Sequence, residues 1–262
     1  MSNIDFLRNE IFSRYGTVKR ARGCFLYTAK GVRLTDMYQE GGRAILGWGG
    51  GSAFTMLKNV LNRGVTGSFK TDFEYRVKKA CSELFNSERE VFFFYSKEEA
   101  LKCALSFSAK NTSVYMPWSP NETNWAEIDA IVFAPALPWC ESIYIAAVKK
   151  ECISDDLPVS VSRRLPAPLL TAVTRSVYDL IAEIQLRQEK DWFIYDSVLT
   201  TYWERKGPYL FPKVPEEMYE DFIIHCLDLN IVISPEYNVP SIVPFGADKG
   251  NFTALKNKPF VF

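Results

Sequence analysis

FFFYSKEEALKCAL, residues 92–105, sets four consecutive aromatics against a segment with helical spacing and places Ser96, Lys97, Glu98 and Glu99 at the junction. The pattern reads as a buried strand running directly into a helix. A strand-to-helix turn presents free backbone N–H groups at the positive end of the helix dipole, which makes it a ready anion site in α/β proteins. Phosphate-binding turns usually carry glycine so that the ligand can reach the backbone. This one has none, and two acids occupy the first helical turn. They complement the dipole themselves and repel an incoming anion, whereas Lys97 can hold a phosphate as a point charge. The junction is therefore a candidate anion cradle whose plain competitor is a helix start capped by its own side chains.

Outward from this junction the chain keeps an α/β rhythm. REVFFFY (89–95), TSVYM (112–116), DAIVFAP (129–135) and SIYIAAV (142–148) are short, nearly continuous apolar runs, with a helix over 97–109 after the first. Such runs predict a sheet covered on both faces. Upstream, GCFLYTAKGVRLTDM (23–37) reads as a hairpin turning at Lys30-Gly31. GWGGGS (47–52) opens a helix over 53–64 with Gly64 as its C-cap. The next helix, 71–85, starts from Thr71 with Glu74 completing a capping box. Downstream of Leu165-Pro166-Ala167-Pro168, a long helix carries Leu169, Val173, Val177, Leu180, Ile181 and Ile184 on one stripe. DWFIYDSVLTT (191–201) reads as helical with Asp196 exposed. PEEMYEDFIIHCLDLN (215–230), IVISP (231–235) and SIVPFG (241–246) then suggest a smaller α+β region.

The composition narrows the function classes. With 262 residues, 47% apolar and 15% aromatic, the chain can fill a sizeable core. Lys plus Arg and Asp plus Glu number 31 each, so no global field favours nucleic acid or an anionic membrane surface. The expected partners are small molecules or other proteins. Cys24, Cys81, Cys103, Cys140, Cys152 and Cys226 lie far apart with no C-x-x-C pair, which fits reduced structural thiols. His225 is the sole histidine and reads as a packing or surface residue, which excludes His-based triads and multi-histidine metal sites. MSNIDFLRNEIFSRYG (1–16) reads as an amphipathic helix ending at Gly16 rather than a signal peptide. No stretch approaches the roughly 20 apolar residues of a membrane span. The expected location is the cytoplasm.

Taken in order, several segments resemble the class III aminotransferases, pyridoxal-phosphate enzymes of fold type I. GVRLTD (31–36) resembles the family's glycine turn and acidic strand residue. GRAILGWGGG (42–51) resembles its glycine-rich passage, with Trp48 where a histidine often stands. Ser96, Glu99 and Ala100 are in register with the family's phosphate cup, and Lys97 stands where glycine is expected. Residues 143–181 resemble the late large-domain strand, the loop that contacts phosphate from the neighbouring subunit, and the long returning helix. That puts Arg163 and Arg164 in the phosphate-contacting loop, where Arg suits bidentate anion recognition. EDFIIHCLDLNIVISP (220–235) resembles the small-domain helix and strand.

The resemblance implies an α/β, fold-type-I-like architecture with a truncated large sheet domain and a smaller α+β domain. Residues 1–69 would contribute to the small domain, 70–165 form the reduced large domain, and 166–262 supply the connecting helix and the rest of the small domain. It also implies a homodimer. The departures set the expected function. Residues 136–142 alone separate DAIVFAP from IYIAAV, where the family has a long stretch with the Asp that holds the pyridine nitrogen and the Schiff-base lysine. Neither residue can be placed by register. Lys149 and Lys150 end a strand, and Asp196 imitates the strand-Asp pattern after the wrong helix. The expectation is an aminotransferase-like protein without transamination activity and without an identified catalytic residue. Ser96, Lys97, Glu98, Glu99, Arg163 and Arg164 are the candidate residues for a small anion, or for pyridoxal phosphate held non-covalently if it is retained. A protein partner is the other candidate. The alternatives are an active aminotransferase or aminomutase using an unrecognised lysine, and a purely structural interaction module.

Overall fold

The computed structural model describes residues 2–120, 123–153 and 162–262. Helix α1 (Asn3–Tyr15) leads into strands β1 (Val18–Arg22), β2 (Phe25–Thr28) and β3 (Arg33–Asp36). Helices α2 (Gly51–Asn62) and α3 (Phe73–Leu84) precede β4 (Arg89–Phe94), α4 (Lys97–Phe107), β5 (Thr112–Val114), β6 (Ala130–Phe133) and β7 (Tyr144–Lys149). The long α5 (Ala167–Leu186) is followed by α6 (Lys190–Phe193), α7 (Asp196–Tyr202), β8 (Trp203–Lys206) and β9 (Tyr209–Pro212). Helix α8 (Tyr219–Asp228), β10 (Ile231–Val232), β11 (Ser241–Ile242) and α9 (Thr253–Asn257) complete the order.

Two units result. Gly50–Pro117 with Asn121–Leu186 forms one, and Met1–Gly49, Trp118–Pro120 and Arg187–Phe262 form the other.

The first of these is built on a four-stranded sheet in the order β4-β7-β6-β5. Strand β7 runs antiparallel to both neighbours, β4 and β6, while β5 and β6 are parallel. Period-two alternation puts Phe93, Ile131, Phe133, Ile145 and Ala147 in one cluster with Val77 and Cys81 of α3 and Val173 and Val177 of α5. Phe94, Ala130, Val132, Ala146 and Val148 point the other way and pack with Ala100, Cys103 and Ala104 of α4. Both sheet faces are therefore covered, as the apolar runs predicted. Each fully buried Val or Ile contributes about 1.5–3 kcal/mol to that packing. Helix α3 starts later than the capping-box reading expected. Asp72 flanks it without a side-chain cap bond, because its carboxylate pairs one turn on with Arg76, Oδ2 to Nη2 at 2.7 Å.

The second unit holds the sheet β1-β2-β3-β10, antiparallel except for the β3–β10 pair, and a separate sheet in the order β11-β9-β8. The predicted hairpin over 23–37 is β2–β3. Its neighbour β1 gives no strand signal in the sequence, because VKRAR has no apolar alternation and is mostly exposed. Leu34, Trp203, Leu210, Phe222 and Cys226 are fully buried in this unit's core. Asp196 is half-buried rather than freely exposed. Arg205 grips it in two places, Nε to Oδ1 at 2.6 Å and Nη2 to Oδ2 at 2.9 Å.

Candidate functional site

The turn between β4 and α4 is closed by its own side chains. Ser96 is in extended conformation, and its Oγ accepts from the Glu99 N–H at 3.1 Å, a regular N-cap. Hydrogen bonds from its own backbone N–H and from Ser96 hold the exposed Glu98 carboxyl below its ordinary value. The negative group seated at this helix N-terminus is thus Glu98. The neighbouring Glu99 Oε1 stands 3.7 Å from Arg163 Nη2.

Arg163 reaches the turn because its segment lies along the free edge of β4. The Arg163 N–H donates to the Phe93 carbonyl at 2.8 Å, and the Ser162 hydroxyl accepts from the Phe93 N–H at 3.0 Å. The guanidinium sits 5.9 Å from the Tyr95 ring centre. Arg164 is exposed and lines a cavity of about 430 Å³ with Arg163, Glu74, Lys78 and Glu90. Lys97 is exposed at the turn. Ser96, Glu98, Glu99 and Arg163 are therefore brought together, while residues 154–161 of the loop assigned to phosphate contact lie outside the described residues.

This arrangement does not fit the phosphate of the pyridoxal phosphate that the resemblance implies. Ser96 and the N–H groups of Glu98 and Glu99 are already engaged, the charge of Arg163 faces Glu99, and Lys97 puts a Cβ where close backbone approach needs glycine.

Lys149 and Lys150 lie at the opposite edge of the sheet. Lys149 pairs in register with Arg89 at the start of β4, whereas Tyr144 pairs with Phe94 next to the turn. Five strand steps separate the two edges, about 17 Å. Lys149 Nζ is 3.5 Å from Asp129 and 3.6 Å from Glu151, and Lys150 Nζ is 3.1 Å from Glu88. Both amines serve surface ion pairs.

The sequence reading undervalued Asp36 and Trp48. Asp36 is buried at the end of β3, where Oδ1 accepts from the N–H groups of Tyr38 (3.0 Å) and Gln39 (2.9 Å) and Oδ2 accepts from the Trp48 indole at 2.6 Å. Burial pushes its carboxyl up to about 6, against the pull of these bonds. Both residues border a largely apolar cavity of about 380 Å³ that includes Leu7, Ile11 and Leu26. Only the spacing of an acid before a glycine-rich turn could have hinted at this pair. His225 packs against Phe260, and its Nε2 lies 2.9 Å from the Lys258 carbonyl oxygen, so it is structural. Among the described residues no cluster of three or more His, Cys, Asp or Glu could hold a metal, and no helix is long and apolar enough to cross a membrane. The six cysteines are free thiols.

No protein-family model matches the chain. An uncharacterized protein of Treponema pallidum is 27% identical over 284 residues, covering 90% of this chain and 91% of the relative. Another, of Borreliella burgdorferi, is 27% identical over 256 residues, covering 92% and 91%. Solved structures give a clearer likeness. An ornithine aminotransferase from Plasmodium yoelii superposes with TM-score 0.67 at 11% identity, covering 98% of this chain and 97% of that one. An acetylornithine aminotransferase from Elizabethkingia anophelis gives 0.69 at 10% identity over 98% of each chain. An omega-transaminase from Sphaerobacter thermophilus gives 0.64 at 11%, covering 92% and 90%. At such identities the likeness is one of fold, a mixed α/β fold shared with aminotransferases.

Proposed function

We propose that this chain is a reduced fold-type-I protein that keeps the aminotransferase scaffold without performing transamination, and that it acts by binding. The observation that carries this is the composition of the sheet edge where the β4–α4 turn sits. The loops after β4 and β6, residues 95–96 and 134–143, contain no lysine and no aspartate, and the loop between β5 and β6, residues 115–129, contains no lysine and one aspartate, Asp129, at its far end where it meets β6. The first residue of α4, Lys97, is the nearest amine in sequence and occupies the turn itself. Imine chemistry needs a lysine amine aimed into the pocket and an acid to keep the ring nitrogen protonated. These loops offer no lysine amine, and their one aspartate, Asp129, stands 3.5 Å from Lys149 Nζ at the other end of the strands rather than at the turn. With Glu98 seated at the helix start, Ser96, Lys97, Arg163 and Arg164 could take a small anion only after both acids withdraw. By the resemblance to class III enzymes, we assign the working form to a cytoplasmic homodimer.

The test is direct. Purified protein is mixed with pyridoxal phosphate, scanned for an aldimine absorption band, reduced with borohydride and mapped by peptide mass spectrometry. The expected result is no saturable band and only scattered lysine labelling. A band titrating to one equivalent, with the label locked on a single lysine, overturns the reading in favour of an active enzyme.

A further inference from the structure

The chain's zero net charge is a sum over segregated charge. Residues 11–35 contain six basic side chains and no acidic one. Two of the six have local duties. Arg14 pairs with Glu10 and Asp228, and Lys30 donates to the carbonyls of Ser13 and Arg14 at the end of α1. The other four, Lys19, Arg20, Arg22 and Arg33, are exposed and, among the described residues, take part in no ion pair, although Arg33 Nη2 donates to Asn251 Oδ1 at 3.1 Å.

Their placement is regular. Strand β1 is the outer strand of its sheet, and Arg20 pairs in register with Tyr27, which pairs with Arg33. One row along, Arg22 pairs with Phe25. Alternation along the strands puts Arg20, Arg22, Phe25, Tyr27 and Arg33 on one face, while Leu26 and Leu34 turn into the core. Arg33 lies 4.5 Å from the Phe25 ring centre, and Arg20 lies 5.6 Å from that of Tyr27. These contacts hold the guanidinium groups against half-buried rings and keep the charges in place. Arg20 and Arg22 are about 6.8 Å apart along the strand.

We propose that this face of the β1–β2–β3 hairpin sheet binds single-stranded nucleic acid, with Arg20, Arg22 and Arg33 on the phosphates and Tyr27 and Phe25 offering stacking surfaces to bases. Exposed cations without an ion-pair partner among the described residues, interleaved with half-buried aromatics, match the two requirements of strand binding, charge that tracks the backbone and rings that take bases of any identity. An acidic polypeptide would use the cations but not the rings. A duplex would use the cations while keeping its bases stacked inside.

The experiment is fluorescence anisotropy with labelled single strands of about 12 nucleotides, one RNA and one DNA, titrated with the full-length protein across a salt series. Three phosphate contacts predict that log K falls with log salt at a slope of about −2.1. Arg22→Gln, which removes one cation without touching a ring, reduces the slope by about 0.7. The Arg20→Gln, Arg22→Gln, Arg33→Gln triple variant reduces it to about zero. Tyr27→Ala weakens binding about tenfold and leaves the slope unchanged. Binding of either strand type with these responses supports the proposal, and the RNA–DNA difference then identifies the preferred source. Absence of salt-dependent binding, slopes indifferent to Arg22→Gln, or equal affinity for a duplex or for polyglutamate of matched charge overturns it. Circular dichroism melting of each variant separates lost contacts from lost fold.

Discussion

The Trp48 indole donates to Asp36 Oδ2 at 2.6 Å and ties the glycine-rich passage to the end of β3. Burial of that carboxyl also sets a pH dependence. The folded state holds the Asp36 proton up to about pH 6, whereas the unfolded chain releases it near the ordinary 3.8. Folding therefore binds the extra proton, so this contribution is full below 3.8 and is lost as pH rises through 6, a span worth roughly 3 kcal/mol. Urea unfolding at several pH values between 4 and 7 should show the stability of Asp36→Asn gaining on the unaltered protein as pH rises. Parallel profiles would contradict this. Trp48→Phe removes a donor from a charged acceptor and should cost about 1.5–3 kcal/mol at pH 7, and less at pH 4 where Asp36 is neutral.

Arg89 should be the costliest surface-type residue to replace, because it is not on the surface. Its guanidinium is fully buried without a carboxylate contact. It donates to the carbonyls of Trp125 (2.8 Å), Ile128 (2.7 Å), Ala147 (3.2 Å) and Asp129 (3.3 Å) and to Ser87 Oγ at 2.9 Å. Burial lowers its pKa to about 10, so the group stays charged at neutral pH. Arg89→Met removes the donor of the Trp125 and Ile128 carbonyls, while the Asp129 carbonyl keeps the Lys149 N–H at 2.8 Å, and should lose about 3 kcal/mol or more. Arg89→Lys keeps the charge but not the fork, and should fall between the two in denaturant midpoint. A loss under 1 kcal/mol for Arg89→Met would show that water replaces the fork.

At the β4–α4 turn, Ser96→Ala should cost about 1 kcal/mol through loss of the N-cap. The more telling variant is Glu98→Ala combined with Glu99→Ala, which frees both the helix start and Arg163. Phosphate should leave the melting temperature of the unaltered protein unchanged at matched ionic strength and raise that of the double variant. Equal stabilisation of both proteins would mean that the acids do not close the turn.

Much of this was legible in local pattern. Strand β4 running into α4, the hairpin β2–β3 and the long α5 all follow from periodicity and turn residues, because each signal lies within one segment. Strand β1 escaped because an outer strand with a charged face lacks alternation. The β8–β9 hairpin escaped because WERKGPYLFP follows directly on a helix and shows no clear period. At the turn, the identities of Ser96, Glu98 and Glu99 announced self-capping, and the structure adds the approach of Arg163, which depends on a segment some seventy residues away lying beside β4. Arg89 was silent for the same reason: its acceptors come from the loop before β6 and from β7, and no local pattern reports such long-range partners. The distance of Lys149 and Lys150 from the turn likewise depends on the direction of β7, which pairing alone decides.

A crystal structure grown with excess pyridoxal phosphate tests the central claim most directly. The account predicts that Glu98 keeps its place at the helix start, that Glu99 keeps Arg163, and that no lysine is joined to the coenzyme. Continuous density from one lysine amine to the coenzyme, with a carboxylate against the ring nitrogen and phosphate at residues 95–99, would contradict it.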